Sequence, residues 1–164
     1  MHTIDEKLKI IGLNVKKARI YKKYPTQKEF AQKLTSKPNP SATIISRIET
    51  GKDLDFIKFL KVARILELPL RYFFTSENIK DIEIFRDPLS LDERHMYEVE
   101  RIGNIIKEKR EKLNKTLLDF ESNIGLAKID SSDLSKIERG KSNFRISLLI
   151  RICTELDLEI KDLF

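Results

Sequence analysis

Apolar residues recur every three or four positions along most of the chain, a spacing typical of amphipathic helices that bury one face. Pro25 interrupts the first run, and Thr26 with Glu29 three residues later forms a capping box, which predicts the start of a second helix. The prolines of "TSKPNPS" predict a turn, and Gly51 predicts the end of a third helix. A fourth helix and a short fifth one, ending in Phe73 and Phe74, complete the series. The predicted inward-facing residues are Leu8, Ile11, Val15, Ala18, Phe30, Ala31, Leu34, Ile44, Ile45, Ile48, Phe56, Phe59, Leu60, Ala63 and Leu66.

The same order of features occurs twice. Residues 46–53 read "SRIETGKD" and residues 135–142 read "SKIERGKS", an offset of 89. The similarity extends to both sides, since Arg19 matches Arg110 and the apolar residues that close the first copy have counterparts near the C-terminus. Two copies predict two domains rather than a solenoid, which needs more repeats. We therefore expect an all-α protein with one domain over residues 1–75, an acidic linker over 76–92 and a second domain over 93–164, each domain having about five helices.

The linker ends with a second capping box, formed by Ser90 and Glu93. No proline follows it, which predicts one long helix from about Leu91 to Lys112. Gly103 lies inside this helix and weakens it by roughly 1 kcal/mol relative to alanine. A break near Gly103 is the alternative.

Charge is unevenly distributed over the 164 residues, whose formal net charge is +6. Residues 1–75 hold 16 basic and 7 acidic residues, residues 76–92 hold 2 and 5, and residues 93–164 hold 14 of each. The basic excess of the first domain favours a polyanionic partner, although a solvated helix face would also explain the cluster at residues 16–23. The longest apolar runs are too short for a membrane span, and a single cysteine excludes an internal disulfide, so we expect a cytoplasmic protein.

No constellation in the sequence predicts catalysis or a cofactor. A glycine-rich phosphate loop and a His-Glu-x-x-His metal motif are both missing. Cys153 lies on an apolar helix face and is expected in the core, and His95 is expected as a solvated surface residue. We therefore predict that the protein is not an enzyme and needs no metal.

The first copy has a predicted helix that begins Thr26-Gln27, then a turn, then the phrase "IISRIETGK". This order resembles the helix-turn-helix domains of phage repressors and Cro-like regulators, the XRE-type family. The stretch "DSSDLSKIERGKSNF" resembles the same family, and the two resemblances cover most of the chain except the linker and the extreme N-terminus. The resemblance implies two lambda-repressor-like domains whose third helices enter the major groove of double-stranded DNA. The turn between the second and third helices is longer here than in the family pattern.

The resemblance also implies roles for individual residues. Arg47 would bind guanine, whereas Asp133 would repel phosphate unless it accepts from cytosine or caps its helix. Glu49 and Glu138 look like an acid/base pair, but the resemblance implies structural ion pairs with Arg19 and Arg110. The implied base-reading residues are Ser41, Ala42, Thr43 and Arg47 in the first domain and Ser131, Ser132 and Lys136 in the second. The implied phosphate contacts are Gln27, Lys28, Asn39, Lys52, Lys141 and Asn143.

Two functional hypotheses follow from the resemblance. In the first, the chain is a sequence-specific transcriptional regulator whose two heads read adjacent half-sites, and it associates with the nucleoid when bound. In the second, only the first domain binds DNA, because Leu117 replaces Gln27 in the second domain and that domain has no net charge. The second domain would then mediate dimerisation or bind a partner protein, as in antitoxins. The aromatic residues at 72–74 and 163–164 are expected in the core, with a homodimer interface as the alternative.

Overall fold

The computed structural model describes residues 3–119 and 130–164, and every described regular element is a helix. The repeat also matches Phe120 to Phe30 and Ile124 to Leu34, and it predicts a turn that begins at Gly125, but these three positions lie outside the described residues. The all-α prediction is confirmed for the described part of the chain. The α-helices are α1 (Ile4–Tyr21), α2 (Gln27–Thr35), α3 (Thr43–Glu49), α4 (Phe56–Leu66), α5 (Leu91–Lys112), α6 (Ser131–Glu138) and α7 (Ile146–Glu155), and 3₁₀ helices span Leu70–Phe74, Ile79–Asp81 and Ile160–Leu163.

Local sequence signals fix several helix starts. Thr26 Oγ1 accepts from Glu29 N at 3.2 Å, and Glu29 Oε2 accepts from Thr26 N at 3.0 Å, so the capping box at the start of α2 is complete. Ser90 and Glu93 form the same arrangement at the start of α5. Both capping boxes that the sequence predicts are therefore confirmed.

A shared apolar core lies beneath these helices. The fully buried aromatic side chains include Phe30, Phe56, Phe59 and Phe73, and the rings of Phe59 and Phe73 meet edge to face at 5.4 Å. Asn14 is a buried polar residue of α1 whose amide donates to the carbonyls of Tyr72, Phe73 and Thr75. These bonds attach the 3₁₀ helix Leu70–Phe74 to α1, because a buried amide needs partners for its donors.

Glycines allow two close helix crossings. A Cβ atom on Gly12 would lie 2.5 Å from the carbonyl oxygen of Ile48 at the end of α3. A Cβ atom on Gly103 would lie 2.8 Å from the carbonyl oxygen of Glu138, and closer still to that of Ile137, at the end of α6. The predicted helix from Leu91 to Lys112 is confirmed, and it continues through Gly103 without a break. The missing side chain of Gly103 permits the close contact between α5 and α6.

The acidic stretch between α4 and α5 packs along both helices. Asp87 receives two hydrogen bonds from the guanidinium of Arg94, at 2.7 and 2.9 Å, and Arg64 donates to the carbonyl of Leu89 at 2.6 Å. Phe85 N donates to the carbonyl of Glu67 at 2.9 Å. The stretch is therefore attached at several points along its length.

Two loops, at residues 53–57 and 143–147, pair with each other, and we call this paired region the seam. Phe56 N donates to the carbonyl of Phe144 at 2.9 Å, and Ile146 N donates to the carbonyl of Leu54 at 3.0 Å. Asp55 and Arg145 face each other in this isolated antiparallel bridge.

Side chains extend this exchange across the seam. Asp53 accepts from Ser147 N at 3.0 Å and from its hydroxyl at 2.7 Å, while Asn143 accepts from Ile57 N at 3.2 Å. Each loop therefore supplies a cap to the first turn of the helix that follows the other loop, α7 or α4. Nearby, the rings of Phe74 and Phe164 stack at 5.3 Å.

Candidate nucleic-acid interface

A buried ion pair holds α3 against α1. Arg19 Nε lies 2.6 Å from Glu49 Oε1, and both side chains are only 4% exposed. The guanidinium also donates to the carbonyls of Tyr24 and Pro25, so it fixes the loop that leads into α2. Gln27 donates to Glu49 at 2.8 Å. All of these bonds are structural, and they leave the Glu49 carboxylate enclosed by donors rather than open to a reactant.

The same arrangement fixes α6 against α5. Arg110 binds Glu138 through two bonds, Nε to Oε1 at 2.6 Å and Nη2 to Oε2 at 2.9 Å, and it donates to the carbonyl of Lys115. The hydrogen bond with Glu138 raises the pKa of Arg110 above its ordinary value. Leu117 stands where α2 has Gln27, and it cannot contribute a third polar contact.

The first turn of α3 presents small polar side chains to solvent. Ser41 and Thr43 are exposed, and their hydroxyl oxygens lie 2.6 Å apart in a hydrogen bond. Ala42 precedes the helix, is half-buried and provides no side-chain cap. Arg47 lies one turn further along, is exposed and has no ion pair within residues 3–119 and 130–164. The guanidinium of Arg47 is therefore available to a ligand.

These side chains line a groove of about 520 Å³ that runs from α3 to the seam. We call it the α3 groove. Its polar lining includes Ser41, Thr43, Arg47 and the basic residues Lys37, Lys52, Lys58 and Arg145. Asp53 and Asp55 also reach it, but each carboxylate accepts bonds from its own neighbourhood, Asp53 from Ser147 and Asp55 from Lys58. Burial alone would raise the pKa of Asp55, but the hydrogen bonds from Lys58 hold it below its ordinary value.

The first turn of α6 has a different charge arrangement. Asp130 caps the helix by accepting from Asp133 N at 2.8 Å, so the capping role considered for Asp133 belongs to Asp130. The Asp133 carboxylate instead accepts from Lys136 Nζ at 2.9 Å, and this bond raises the pKa of Lys136. Ser132 is exposed and Ser131 is half-buried. In the free protein the ammonium group of the lysine predicted to read bases is therefore paired with a neighbouring carboxylate.

The predicted phosphate contacts have two kinds of environment. Gln27 and Asn143 already have partners, Glu49 and Ile57 N respectively, which sequence reasoning missed because both partners are distant in the chain. The remaining four are exposed, namely Lys28, Asn39, Lys52 and Lys141. Lys52 and Lys141 each follow a glycine with positive φ, +78° at Gly51 and +64° at Gly140, so the backbone turns sharply before each lysine.

A second groove, of about 400 Å³, lies beside α6, and we call it the α6 groove. Its lining includes Asp133 and Ile137 of α6 together with Asn143, Arg145 and Arg151. Arg145 is thus common to both grooves. Sequence reasoning did not find Arg145 or Lys58, because neither belongs to the repeated phrase and their placement depends on the pairing of the two loops.

Two residues with reactive side chains have structural surroundings. Cys153 is buried, and burial raises the pKa of its thiol to about 12, which leaves almost no nucleophilic thiolate at neutral pH. The expectation of a solvated His95 is wrong, because its Nε2 atom is buried without a hydrogen-bond partner and its ring lies 6.1 Å from that of Phe56. No group of three or more His, Cys, Asp or Glu within the described ranges could hold a metal ion.

One continuous region contains α6, the buried ion pair of Arg110 with Glu138, and Gly140 with its positive φ. Residues 106–163 match the helix-turn-helix family model. The helix-turn-helix match begins inside α5, includes α6 and α7, and ends in the last 3₁₀ helix. No curated protein and no solved structure matches the chain. None of the described helices has the length and apolar character needed to cross a membrane.

Proposed function

We propose that the chain is a sequence-specific, double-stranded DNA-binding transcriptional regulator with two helix-turn-helix heads that read adjacent half-sites. The helix-turn-helix match of residues 106–163 supports DNA binding by the C-terminal head. Residues 3–75 support a second head, since they repeat the ion pair and the left-handed glycine of that region, together with the glycine crossing at Gly103 just before it. No catalytic step and no cofactor is part of the proposal.

The seam carries the two-headed proposal. The loop after the repeated phrase is one residue longer in the second copy, so the offset from there on is 90 residues (146 − 56). Leu54 and Phe56 therefore match Phe144 and Ile146, and the two hydrogen bonds join these residues in a mutual exchange. Asp53 and Asn143 are likewise matched, and each supplies a cap to the other side. An exchange of equivalent groups is what a two-fold axis produces at the interface of a dimer. One chain would thus reproduce the dimer that helix-turn-helix proteins use to place two recognition helices in successive major grooves.

The two recognition helices, α3 and α6, would read different sequences. Arg47 has no competing partner and is suited to bidentate contact with guanine O6 and N7, while the Thr43 methyl is suited to a thymine methyl. Lys136 would first have to leave Asp133, whose carboxylate could then accept from a cytosine amino group. We therefore expect an operator with two unlike half-sites.

The alternative role of the C-terminal head, dimerisation or partner binding without DNA contact, gains no support from the family match. The matched residues are those of the C-terminal head, the one that this alternative removes from DNA. The ion pair of Lys136 with Asp133 is the observation most favourable to it, because it lowers the positive potential of α6. The alternative is therefore retained as one outcome of the experiment.

Selection of bound sites from random duplex DNA, followed by footprinting, tests the proposal. We expect two protected half-sites separated by about one helical turn, and binding that weakens as salt rises because phosphate contacts release counterions. Arg47→Ala and Lys136→Ala should each cost roughly 1–3 kcal/mol and relax base preference in one half-site only. Arg86→Ala is the control, since this exposed arginine lines neither groove.

The outcomes separate the two hypotheses. If Lys136→Ala leaves the footprint and the affinity unchanged while Arg47→Ala abolishes both, only the N-terminal head reads DNA. Binding that shows no sequence preference and no salt dependence would contradict DNA recognition by either head.

A further inference from the structure

We propose that a cavity at the junction of the two heads binds a small, neutral aromatic molecule. The cavity has a volume of about 170 Å³ and lies between α4, the acidic stretch and α5, and we call it the junction cavity. This inference goes beyond the proposed function and does not depend on it, because no residue that lines the junction cavity belongs to α3, α6 or the seam.

The walls of the junction cavity are largely apolar. Leu60 and Ala63 of α4, Leu70 of the 3₁₀ helix that follows, and the ring of Phe164 all contribute to them. Leu60 and Ala63 are only 2% and 3% exposed, so the cavity reaches into the apolar core. Because an apolar cavity of about 150 Å³ is large enough to bind benzene, the junction cavity has room for one aromatic ring with a small substituent.

The four charged residues that line the junction cavity already have partners. Asp87 accepts two hydrogen bonds from Arg94 and lies 3.2 Å from Arg64 Nη1. Glu98 accepts from Arg94 at 3.2 Å and from Arg101 at 2.6 Å. A charged ligand would therefore enter an apolar space without a counterion, which is costly, so the ligand is neutral. For the same reason a peptide segment of another protein would find no partners for its backbone groups.

Aromatic and cationic groups in the lining favour an aromatic ligand over an aliphatic one. The ring of Phe164 stacks on those of Phe74 at 5.3 Å and Phe56 at 6.0 Å, so it is held in a fixed orientation. The guanidinium carbon of Arg94 lies 5.6 Å from the centre of the Phe85 ring, and both residues line the cavity. An aromatic ligand gains ring contacts with the phenylalanines and attraction of its π face to the cation, whereas an aliphatic molecule of the same size gains neither.

A molecule in the junction cavity would contact both heads at once. The walls come from α4 in the N-terminal head and from α5 and Phe164 in the C-terminal head. A ligand that binds the folded chain and not the unfolded chain raises stability in proportion to its occupancy. We therefore expect the bound molecule to strengthen the packing of the two heads against each other.

Titration of the full chain with toluene, followed by methyl NMR spectra, tests the inference. We expect saturable shifts of the methyl signals of Leu60, Ala63 and Leu70, with a dissociation constant on the order of 1 mM or lower, the range open to an apolar ligand of this size. Methylcyclohexane has the same carbon skeleton without the π system, and it should bind about threefold more weakly or less. Benzoate should not bind measurably, because its charge would have to be desolvated without a partner.

Leu70→Phe and Ala63→Leu place additional carbon atoms at the walls of the junction cavity, and each should lower the affinity for toluene at least about fivefold by reducing the free volume. Leu13→Phe is the matched control, because it makes the same change as Leu70→Phe at an exposed position of α1 outside the cavity. It should bind toluene as the unchanged protein does. Circular dichroism shows whether each variant is folded.

Two results would overturn the inference, namely the lack of a saturable shift in the unchanged protein and an affinity that both filling variants leave unaltered. Equal binding of toluene and methylcyclohexane would overturn the assignment of an aromatic ligand. None of these results bears on DNA binding, which the selection of bound sites measures separately.

Discussion

The buried arginines Arg19 and Arg110 each connect three parts of the protein. Arg110 holds Glu138 at the end of α6 and the carbonyl of Lys115 in the loop after α5. Arg19 holds Glu49 and the carbonyls of two loop residues. Because a buried carboxylate is costly without a partner, each arginine determines the position of the helix that carries the glutamate.

Arg110→Met should therefore destabilise the protein strongly. The substitution keeps most of the side-chain volume but leaves Glu138 as an unpaired buried charge, which costs roughly 3–5 kcal/mol. The free energy of unfolding from urea denaturation, monitored by circular dichroism, would measure this loss.

The double variant Arg110→Met/Glu138→Leu is the informative comparison. It removes both charges and should recover much of the lost stability, because two apolar side chains leave no buried charge without a partner. If Arg110→Met alone costs less than about 1 kcal/mol, the ion pair does not hold α6 in place.

At the scale of elements, the helix crossings at Gly12 and Gly103 set how closely α3 and α6 approach the first helix of each region. Helix propensity alone predicts that alanine at position 103 would stabilise α5 by roughly 1 kcal/mol. The carbonyl oxygens of Ile137 and Glu138 occupy the space that its methyl group needs. The close helix crossing therefore predicts that Gly103→Ala lowers the stability of the protein, whereas helix propensity predicts that it raises it.

Gly103→Ala should destabilise the protein by about 2 kcal/mol, because backbone atoms of α6 must move and overpacking of this kind costs about 1–3 kcal/mol. Thermal unfolding followed by circular dichroism would give the change. Asn104→Ala, at the exposed neighbouring position of α5, should be neutral or slightly stabilising. A melting temperature that rises in Gly103→Ala would show that the crossing is looser than the structure indicates.

Local signals in the sequence predict helix starts, because caps and prolines act within a few residues. Thr26, Glu29, Ser90 and Glu93 thus predicted two helix starts. The sequence around Gly103 predicts only a less stable helix. Its contact with α6 cannot be predicted from the spacing of residues within α5, because α6 lies about 35 residues further along the chain.

The candidate site was only partly predictable for the same reason. Family resemblance pointed to the exposed residues of α3 and α6, but the partners of Gln27, Asn143 and Lys136 follow from tertiary packing. Arg145 gave no sequence signal at all, because its significance comes from the seam. The base-reading and phosphate-contact roles stay predictions until they are measured.

At the scale of the whole molecule, each half of the chain supplies, at the seam, a cap to a helix of the other half. The first turn of α7 is capped by Asp53 and that of α4 partly by Asn143, so neither helix start is fully satisfied by its own half. The stacked rings of Phe74 and Phe164 bury a further contact between the halves. We therefore expect the two heads to behave as one rigid reader.

One chain should occupy one operator. Native mass spectrometry or sedimentation of the complex should give a single 19.2 kDa chain per duplex with two half-sites, and binding should rise without cooperativity as protein is added. An alternative dimer would contribute two chains per duplex. A stoichiometry of two chains per duplex, or affinity that depends on self-association, would contradict the built-in pairing.

The facing residues Asp55 and Arg145 have a consequence for how such a protein can change over time. In a homodimer, a residue on the symmetry axis meets its own copy, so every mutation there is made twice and opposite charges can never face each other. In a fused chain the two positions are encoded separately, and each half can diverge while the other preserves the contact. A carboxylate opposite a guanidinium at matched positions is a pairing that no homodimer can produce, because the two positions must be encoded separately.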